Sequence, residues 1–202
     1  METKQQWDAV YRNHSPPQLP WYHIAFLSHV NGFLKKIGKK DLLIITGCGI
    51  GDTVQITYKK GFTNSVGTDI SSEAIIRAKK RFQHLKFKRV KTESVHNKYK
   101  NANVLDWLNL HQISPENLGT YLNSLAQVSK SLLLVYFYDP ARQFHQKSLV
   151  TGGFVYNYSP KNVSELLKPL KKTSEFSFKT RINTRFKQKQ QFMTIGQVYS
   201  KD

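Results

Sequence analysis

The chain has 202 residues, of which 39% are hydrophobic, and it carries a formal net charge of +18 at pH 7. This length suits one domain with a substantial core. The apolar runs are shorter than the roughly 18 residues of a membrane span, and the N-terminus has no signal-peptide core. We therefore expect a cytoplasmic protein without a transmembrane segment.

The positive charge comes mostly from lysines that are spread along the chain in short groups, such as Lys39-Lys40 and Lys79-Lys80. A field of this sign attracts polyanions, which makes nucleic acid or an acidic membrane surface one candidate partner. Dispersed lysines also suit a solvated surface, and arginine, which is better suited to forked phosphate contacts, is the minority. Both interpretations stay open at the level of the sequence.

The N-terminal part predicts two helices. Apolar residues at helical spacing predict a helix over residues 5–13, and three prolines predict a stiff, extended connection at 15–20. A second helix is predicted from Tyr22 to Leu34, closed by Gly38.

An aliphatic run from Leu42 to Ile45 then breaks into three alternating glycines, Gly47, Gly49 and Gly51. A buried parallel strand has such a continuous apolar sequence. The glycines let the end of the strand turn sharply, so that backbone N–H groups face a ligand at the start of a helix. This segment therefore predicts a ligand-binding turn.

A second short strand, Ser65 to Thr68, delivers the carboxylate of Asp69. An acid in this position accepts hydrogen bonds from both hydroxyls of a ribose. The order of strand, glycine turn, helix, strand and acid is a nucleotide-binding signature.

The remaining elements continue this alternation of strands and helices. In chain order they are a helix from Thr53 to Lys60 ended by Gly61, a helix capped by Ser71 or Ser72 and running through Phe82, a strand Leu85–Val90, a strand Asn103–Trp107, a helix from Ser114-Pro115, a strand Ser131–Phe137, a helix from Ser159-Pro160, and the strands Phe176–Thr184 and Phe192–Tyr199. The alternation predicts an α/β fold with a parallel sheet and a closing antiparallel hairpin.

Ligand crevices in open α/β sheets lie at the carboxyl ends of the strands. Four segments follow strands in this sequence and are expected to converge on one pocket: Thr46–Gly51, Asp69, Lys91–Ser94 and Asp106–His111.

The G-x-G-x-G spacing, with Cys48 between the first two glycines, resembles motif I of the class I S-adenosylmethionine (SAM)-dependent methyltransferases. The segment Val66–Ser71, followed by Ala74 and Ala78, is similar to the acidic strand and small-residue helix of those enzymes. The resemblance implies a Rossmann-like, seven-stranded, mostly parallel sheet flanked by helices, with a C-terminal antiparallel hairpin, and SAM as cofactor. It divides the chain into an N-terminal helical lid or cap at 1–38 and a SAM-binding domain at 39–202.

A narrower resemblance is to the subgroup of thiopurine, thiol and halide methyltransferases. Ile45 stands where other class I enzymes have an acid, and Thr46 stands where the subgroup often has proline. The segments 110–115 and 151–160 are also similar.

The resemblance implies a set of cofactor-binding residues around the predicted pocket: Thr46, Gly47, Cys48, Gly49, Gly51, Asp69, Ile70, Thr92, Glu93, Asp106 and Trp107. Glu93 stands one residue away from the register of the family's adenine-side acid, and Asn103 stands where the family has an acid at the start of the fourth strand. Cys48 is either a small packed residue or a reactive thiol, and the former suits a glycine loop better.

The implied reaction transfers a methyl group to a nitrogen, oxygen or sulfur atom of a small-molecule acceptor. A protein base is required only when the acceptor loses a proton at the transition state, and the catalytic candidates are Asp106, His111 and Asp139. Each has a structural alternative: Asp106 holds the amino end of methionine, His111 caps the next helix, or Asp139 is a turn acid before Pro140.

Aromatic residues supply the candidate substrate-binding set. Trp7, Tyr11 and Trp21, with Tyr22, form a lid over the cofactor and acceptor or simply cover the sheet. Tyr138 and Tyr156, with Tyr136 and Tyr158, line the acceptor side or belong to the core. The histidines and the cysteine show no metal-ligand spacing. Two other functions stay open: an RNA or protein methyltransferase that uses its basic surface, and an inactive SAM-binding scaffold.

Overall fold

A computed structural model describes residues 4–19, 28–141, 145–147, 153–182 and 190–201. Six α-helices lie within these residues: α1 Lys4–Asn13, α2 Ser28–Leu34, α3 Asp52–Lys59, α4 Ser72–Arg81, α5 Pro115–Val128 and α6 Pro160–Leu166. Nine strands accompany them: β1 Leu43–Thr46, β2 Ser65–Asp69, β3 Lys86–Arg89, β4 Ala102–Trp107, β5 Ser129–Phe137, β6 His145–Lys147, β7 Phe154–Tyr156, β8 Lys171–Ile182 and β9 Gln190–Ser200. Three short 3₁₀ helices cover Pro16–Gln18, Thr92–Asn97 and Leu110–Gln112.

Seven of the described strands form one sheet in the order β3-β2-β1-β4-β5-β9-β8. The first five are parallel, and β9 runs antiparallel between β5 and β8. Strand β1 lies at the centre of the parallel part, where Ile44 pairs with Val66 on one side and Val104 on the other. The predicted α/β fold with a closing antiparallel pair is confirmed, and a separate β6–β7 pair lies outside this sheet.

The sheet is covered on both faces because alternate residues of its buried strands point to opposite sides. Ile44 belongs to a core cluster that includes Tyr121 and Leu122 of α5. Its neighbour Ile45 belongs to a second cluster, which includes Phe33 of α2 and Val54 of α3.

Helix ends follow the capping residues of the sequence. The Ser71 side chain caps α4 by accepting a hydrogen bond of 3.1 Å from the Ala74 N–H, and Ser159 caps α6 in the same way. Helix α3 begins after Gly51 and ends two residues before Gly61, both with positive φ. The predicted positions of these helices are confirmed.

Three local predictions are wrong or only partly tested. Residues 16–18 form a 3₁₀ turn instead of an extended connection, because the Gln18 side chain accepts hydrogen bonds from Ser15. Helix α2 is described from Ser28 and ends at Leu34, so Gly38 does not close it. The first part of the predicted second helix, and the connection at 183–189 between β8 and β9, lie outside the described residues.

Within the described part of the chain, every helix is too short or too polar to cross a membrane.

Candidate functional site

The glycine turn joins β1 to α3 at the carboxyl end of the sheet. Gly47, Gly49 and Gly51 all have positive φ, at 58°, 52° and 92°. A Cβ on Gly51 would lie 2.8 Å from the Phe87 ring, so this glycine also lets α3 approach β3 closely. Cys48 is buried within the turn, and this burial raises the pKa of its thiol well above the usual value. The cysteine is therefore a packed residue and not a thiolate at neutral pH.

Asp69 ends β2 and holds the glycine turn. Its Oδ2 accepts a hydrogen bond of 2.9 Å from the Gly49 N–H, and its Oδ1 accepts one of 2.8 Å from the Ser71 N–H. Burial raises the pKa of Asp69 to about 6 despite these two backbone donors. Ile70 follows it and is half-buried.

Asp106 is a second buried acid, on β4 beside β1. Thr46 Oγ1 donates a hydrogen bond of 2.6 Å to Asp106 Oδ2, and the Tyr121 hydroxyl donates to the same oxygen. The other oxygen, Oδ1, is buried and makes no hydrogen bond of ordinary length among the described residues, although the Asn109 amide is close enough to lower the pKa of this acid. Burial raises the pKa of Asp106 to about 6, against the opposing effect of the donors. An unpartnered buried carboxylate oxygen can accept a hydrogen bond from a ligand.

The segments after β3 and β4 meet beside this acid. Asn109 Nδ2 donates a hydrogen bond of 3.1 Å to the Tyr121 hydroxyl and lies 3.5 Å from Thr92 Oγ1. A Cβ on Gly47 would lie 2.8 Å from the Asn109 side chain. Glu93 Oε1 is also buried and unpartnered within the described structure. The structure therefore brings together residues from all four segments that were predicted to converge.

The interior of this site is acidic although the chain as a whole is basic. Among the buried residues that the structure describes, the acids are Asp8, Asp69 and Asp106, and no lysine or arginine is buried with them. His111 is also buried, and burial lowers the pKa of its imidazole to about 4, so it is neutral at pH 7.

His111 lies in the 3₁₀ helix after β4 and faces the end of β5. Its ring centroid is 4.8 Å from that of Phe137, and its Nδ1 is buried without a described partner. It does not cap α5, whose N-cap is Ser114. The Nδ1 atom of His111 is therefore a buried, unpartnered nitrogen of a neutral ring beside the end of β5.

Asp139 has a structural role in the turn after β5. Its Oδ1 accepts a hydrogen bond of 3.0 Å from the Ala141 N–H, and its backbone bonds at both ends to the side chain of Asn157. This is the turn-acid geometry that was the alternative to catalysis.

The candidate aromatic residues divide between two places. Trp7 and Tyr11 of α1 pack in a cluster with Ile50 of the glycine turn and Ala74 of α4. Tyr156 stacks on Tyr158 near the end of β5, with ring centroids 6.1 Å apart. Trp21 and Tyr22 lie outside the described residues.

The other candidate tyrosines and Trp107 pack against the core. Tyr158 donates a hydrogen bond of 2.6 Å to the Ile113 carbonyl, and Tyr136 is buried in the core. Tyr138 is half-buried after β5, and Trp107 is half-buried against the core of the other face.

Sequence reasoning missed Tyr121, Asn109 and Asp8. Tyr121 stands at helical spacing with Leu118, Leu122 and Leu125, which is the pattern of an ordinary core residue. Asn109 stands three residues after Asp106. Its polar side chain so close to the end of a strand was the signal that could have identified it as a site residue.

Comparisons with solved structures identify the fold. Over 98% of this chain and 93% of the other, the structure is similar to a SAM-dependent methyltransferase from Anabaena variabilis, with 14% identity and a TM-score of 0.79. It is also similar to a 1,6-didemethyltoxoflavin-N1-methyltransferase from Burkholderia thailandensis, determined with bound 1,6-didemethyltoxoflavin and S-adenosylhomocysteine (SAH), at 13% identity, 98% and 87% coverage and a TM-score of 0.71.

A third similar structure is the magnesium protoporphyrin IX methyltransferase of Synechocystis with bound SAM, at 15% identity, 97% and 90% coverage and a TM-score of 0.62. No protein-family model and no curated protein matches the sequence. At these identities the likeness establishes the class I methyltransferase fold, and it does not single out the thiopurine, thiol and halide subgroup.

Proposed function

We propose that the protein is a SAM-dependent methyltransferase that transfers a methyl group to a nitrogen, oxygen or sulfur atom of a small molecule. The observation that carries the proposal is the 2.9 Å bond between the Gly49 N–H and Asp69, which joins the glycine turn to the acid at the ligand-binding edge of a class I methyltransferase fold.

The charge of the site supports this cofactor over a dinucleotide. SAM carries a positive sulfonium, a positive ammonium and a negative carboxylate group and is a net cation, whereas a dinucleotide carries a negative pyrophosphate and is a net anion. The buried acids Asp69 and Asp106 flank the turn, and Asp106 Oδ1 makes no hydrogen bond of ordinary length within the described residues. A buried carboxylate attracts a cation and repels a phosphate more strongly than an exposed one does.

The described residues fit the parts of this cofactor. Asp69 uses one acceptor site of each oxygen for backbone N–H groups, which leaves a further site on each oxygen for the ribose hydroxyls. Asp106 Oδ1 would accept from the ammonium group, and Thr92 and Glu93 stand on the adenine side. When bound, SAM would supply the electrophilic methyl group.

The protein's own contribution is alignment, exclusion of water and proton acceptance. His111 is our candidate base, because its neutral ring keeps an unpartnered nitrogen beside Phe137. A pKa of about 4 makes it a weak base, which suits an acceptor that loses its proton easily. We assign Asp139 to the turn and Asp106 to cofactor binding.

An acceptor screen with radiolabelled SAM tests the function. Small thiols are the first candidates because segment 151–160 resembles the thiol methyltransferase subgroup, and amines and phenols follow. We expect methyl transfer to at least one class and lower turnover in His111→Phe than in Asp139→Asn. SAH binding without transfer to any acceptor would favour a scaffold, and absence of SAM and SAH binding would overturn the proposal.

A second candidate is transfer to an acidic macromolecule such as RNA. It is favoured by four exposed cations on and after the edge strand β3, next to Thr92: Lys86, Lys88, Arg89 and Lys91. These lysines also have a structural explanation, because charged residues on an edge strand prevent its pairing with other sheets. A steep salt dependence of RNA binding, reduced by Lys86→Glu with Lys88→Glu, would support this candidate.

A further inference from the structure

Two sets of hydrogen bonds join helix α1 to α4, one from the middle of α1 and one at its C-terminal end. Asp8 Oδ1 accepts hydrogen bonds of 2.6 Å from Ser71 Oγ and 3.1 Å from the Glu73 N–H, at the start of α4. Arg77 of α4 donates to the carbonyl oxygens of Tyr11 and His14 at the end of α1, the latter at 2.8 Å. Each helix thus supplies hydrogen-bond partners that the end of the other lacks.

The Asp8 end of this contact continues into the proposed ribose site. Ser71 donates its hydroxyl to Asp8 and its backbone N–H to Asp69 Oδ1, at 2.8 Å. Asp69 in turn accepts from the Gly49 N–H. A continuous chain of hydrogen bonds therefore runs from α1 through Ser71 and Asp69 to the glycine turn.

Helix α1 also packs directly against the glycine turn. Tyr11 is 4% exposed, and a Cβ on Gly49 would lie 2.9 Å from its hydroxyl oxygen. Val10, Leu19, Ile50 and Ala74 complete the cluster. The position of α1 therefore determines the space above Gly49.

The charge of Asp8 strengthens this contact. Burial opposes ionisation, yet Lys4 and the donors Ser71 and Glu73 lower the pKa of Asp8 to about 2. Asp8 is therefore ionised at neutral pH, and hydrogen bonds to an ionised acceptor are stronger than neutral ones.

We propose that Asp8 and Ser71 are positioning residues of the cofactor site: docking of α1 on α4 through Asp8 holds Asp69 and the glycine turn in the geometry that receives the ribose. This inference rests on the proposed function for its ligand, but the link from Asp8 to Gly49 exists without a ligand. Because coupling is reciprocal, cofactor binding also stabilises the docked position of α1.

Amide hydrogen exchange and SAH calorimetry on the full chain test the inference with four variants. Asp8→Ala and Ser71→Ala break the chain of bonds. Asp8→Asn keeps a side-chain oxygen that can accept from Ser71 and the Glu73 N–H. Lys4→Ala removes only the ion pair of 2.7 Å with Asp8 and leaves the bonds from Ser71 Oγ and the Glu73 N–H to Asp8 in place.

In the ligand-free protein, we expect Asp8→Ala to speed exchange at the Gly49 and Ser71 amides, and Asp8→Asn to restore most of the protection. With SAH, the Kd should rise about tenfold in Asp8→Ala and Ser71→Ala, and change little in Lys4→Ala. SAH should also slow exchange in α1 of the wild type. At saturating cofactor the turnover should stay near that of the wild type, so the KM for SAM rises while kcat does not.

Unchanged Gly49 and Ser71 exchange in folded Asp8→Ala or Ser71→Ala would overturn the inference. An unchanged SAH Kd in these variants would do the same. Failure of the wild type to bind SAH would instead overturn the proposed function, and the ligand-free exchange would still decide whether Asp8 positions the glycine turn. If Asp8→Ala does not fold, the same exchange and calorimetry measurements on Ser71→Ala test the inference.

Discussion

In the half of the sheet formed by β3, β2, β1 and β4, Asp106 and Glu93 each keep a buried oxygen without a hydrogen bond among the described residues, whereas in the half formed by β5, β9 and β8 the Gln197 side chain bonds its polar neighbours at both ends of its amide. In the first half these oxygens are Asp106 Oδ1 and Glu93 Oε1. In the second, Gln197 Oε1 accepts from the Tyr136 and Tyr199 hydroxyls, while its Nε2 donates to the Pro160 carbonyl and to Glu175.

In the first half, buried polar groups are available to bind a ligand, whereas in the second half they contribute to folding stability. An unpartnered buried polar group costs about 1–3 kcal/mol of folding stability, whereas a satisfied one contributes about 1 kcal/mol. The first half therefore keeps acceptor sites that a ligand can use, and the second half uses its polar groups to fix β9 against α6. Substitutions in the two halves should affect cofactor affinity very differently.

The largest expected effect in the first half comes from Gly49→Val. The φ of 52° is unfavourable for a β-branched residue, and the new Cβ would meet the Tyr11 hydroxyl oxygen at 2.9 Å. We expect no measurable SAH binding by calorimetry. Gly119→Ala is the matched control, because a Cβ there meets nothing within 4 Å and alanine favours helix α5. Wild-type affinity in Gly49→Val would remove the glycine turn from the site.

Removal of the proposed ribose acid should have the next largest effect. Asp69→Ala is expected to weaken SAH binding by roughly 1.5–3 kcal/mol, the range for hydrogen bonds to a charged group. It also removes acceptors for the Gly49 and Ser71 N–H groups, so thermal unfolding must be measured alongside affinity. Asp139→Ala, which alters a turn acid in the second half, should leave the Kd unchanged. An unaltered Kd in folded Asp69→Ala would exclude Asp69 from ribose binding.

These first-half residues were also the ones that the sequence could predict. Gly47, Gly49 and Asp69 follow strands whose aliphatic composition marks them, and positive φ restricts the turn to glycine locally. The partners of the acids depend on contacts that no local pattern reports: Asp8 is 63 residues from Ser71, and Tyr121 has the spacing of a core residue. The 3₁₀ turn at 16–18 was not predicted because the three prolines indicated an extended connection, and the capping by Gln18 was not considered.

The raised pKa values of the buried acids predict a smaller, pH-dependent effect. Asp69 and Asp106 have pKa values of about 6 in the free protein, and donors on the ligand favour their ionised forms. Below pH 6 binding must release these protons, so SAH affinity should fall as pH falls, by at most about tenfold per unit for each acid. Above pH 7 it should be nearly constant.

Calorimetry in buffers of different ionisation enthalpy measures the protons released on binding. Asp69→Asn should make the pH dependence shallower, since one of the two titrating acids is then absent. A Kd that stays constant from pH 7.5 to 5 would contradict the assignment of these acids to the cofactor.

The smallest expected effect compares two buried hydroxyls, one in each half. Tyr136→Phe removes one donor to Gln197, which keeps its hydrogen bond of 2.9 Å from Tyr199, so it should cost about 1 kcal/mol of unfolding free energy and leave the SAH Kd unchanged. Tyr121→Phe removes a donor to Asp106, which raises the pKa of that acid further and should weaken SAH binding at pH 7 as well as stability. Denaturant unfolding and calorimetry on the pair measure both quantities. Equal changes in the SAH Kd of Tyr136→Phe and Tyr121→Phe would contradict the proposed difference between the two halves.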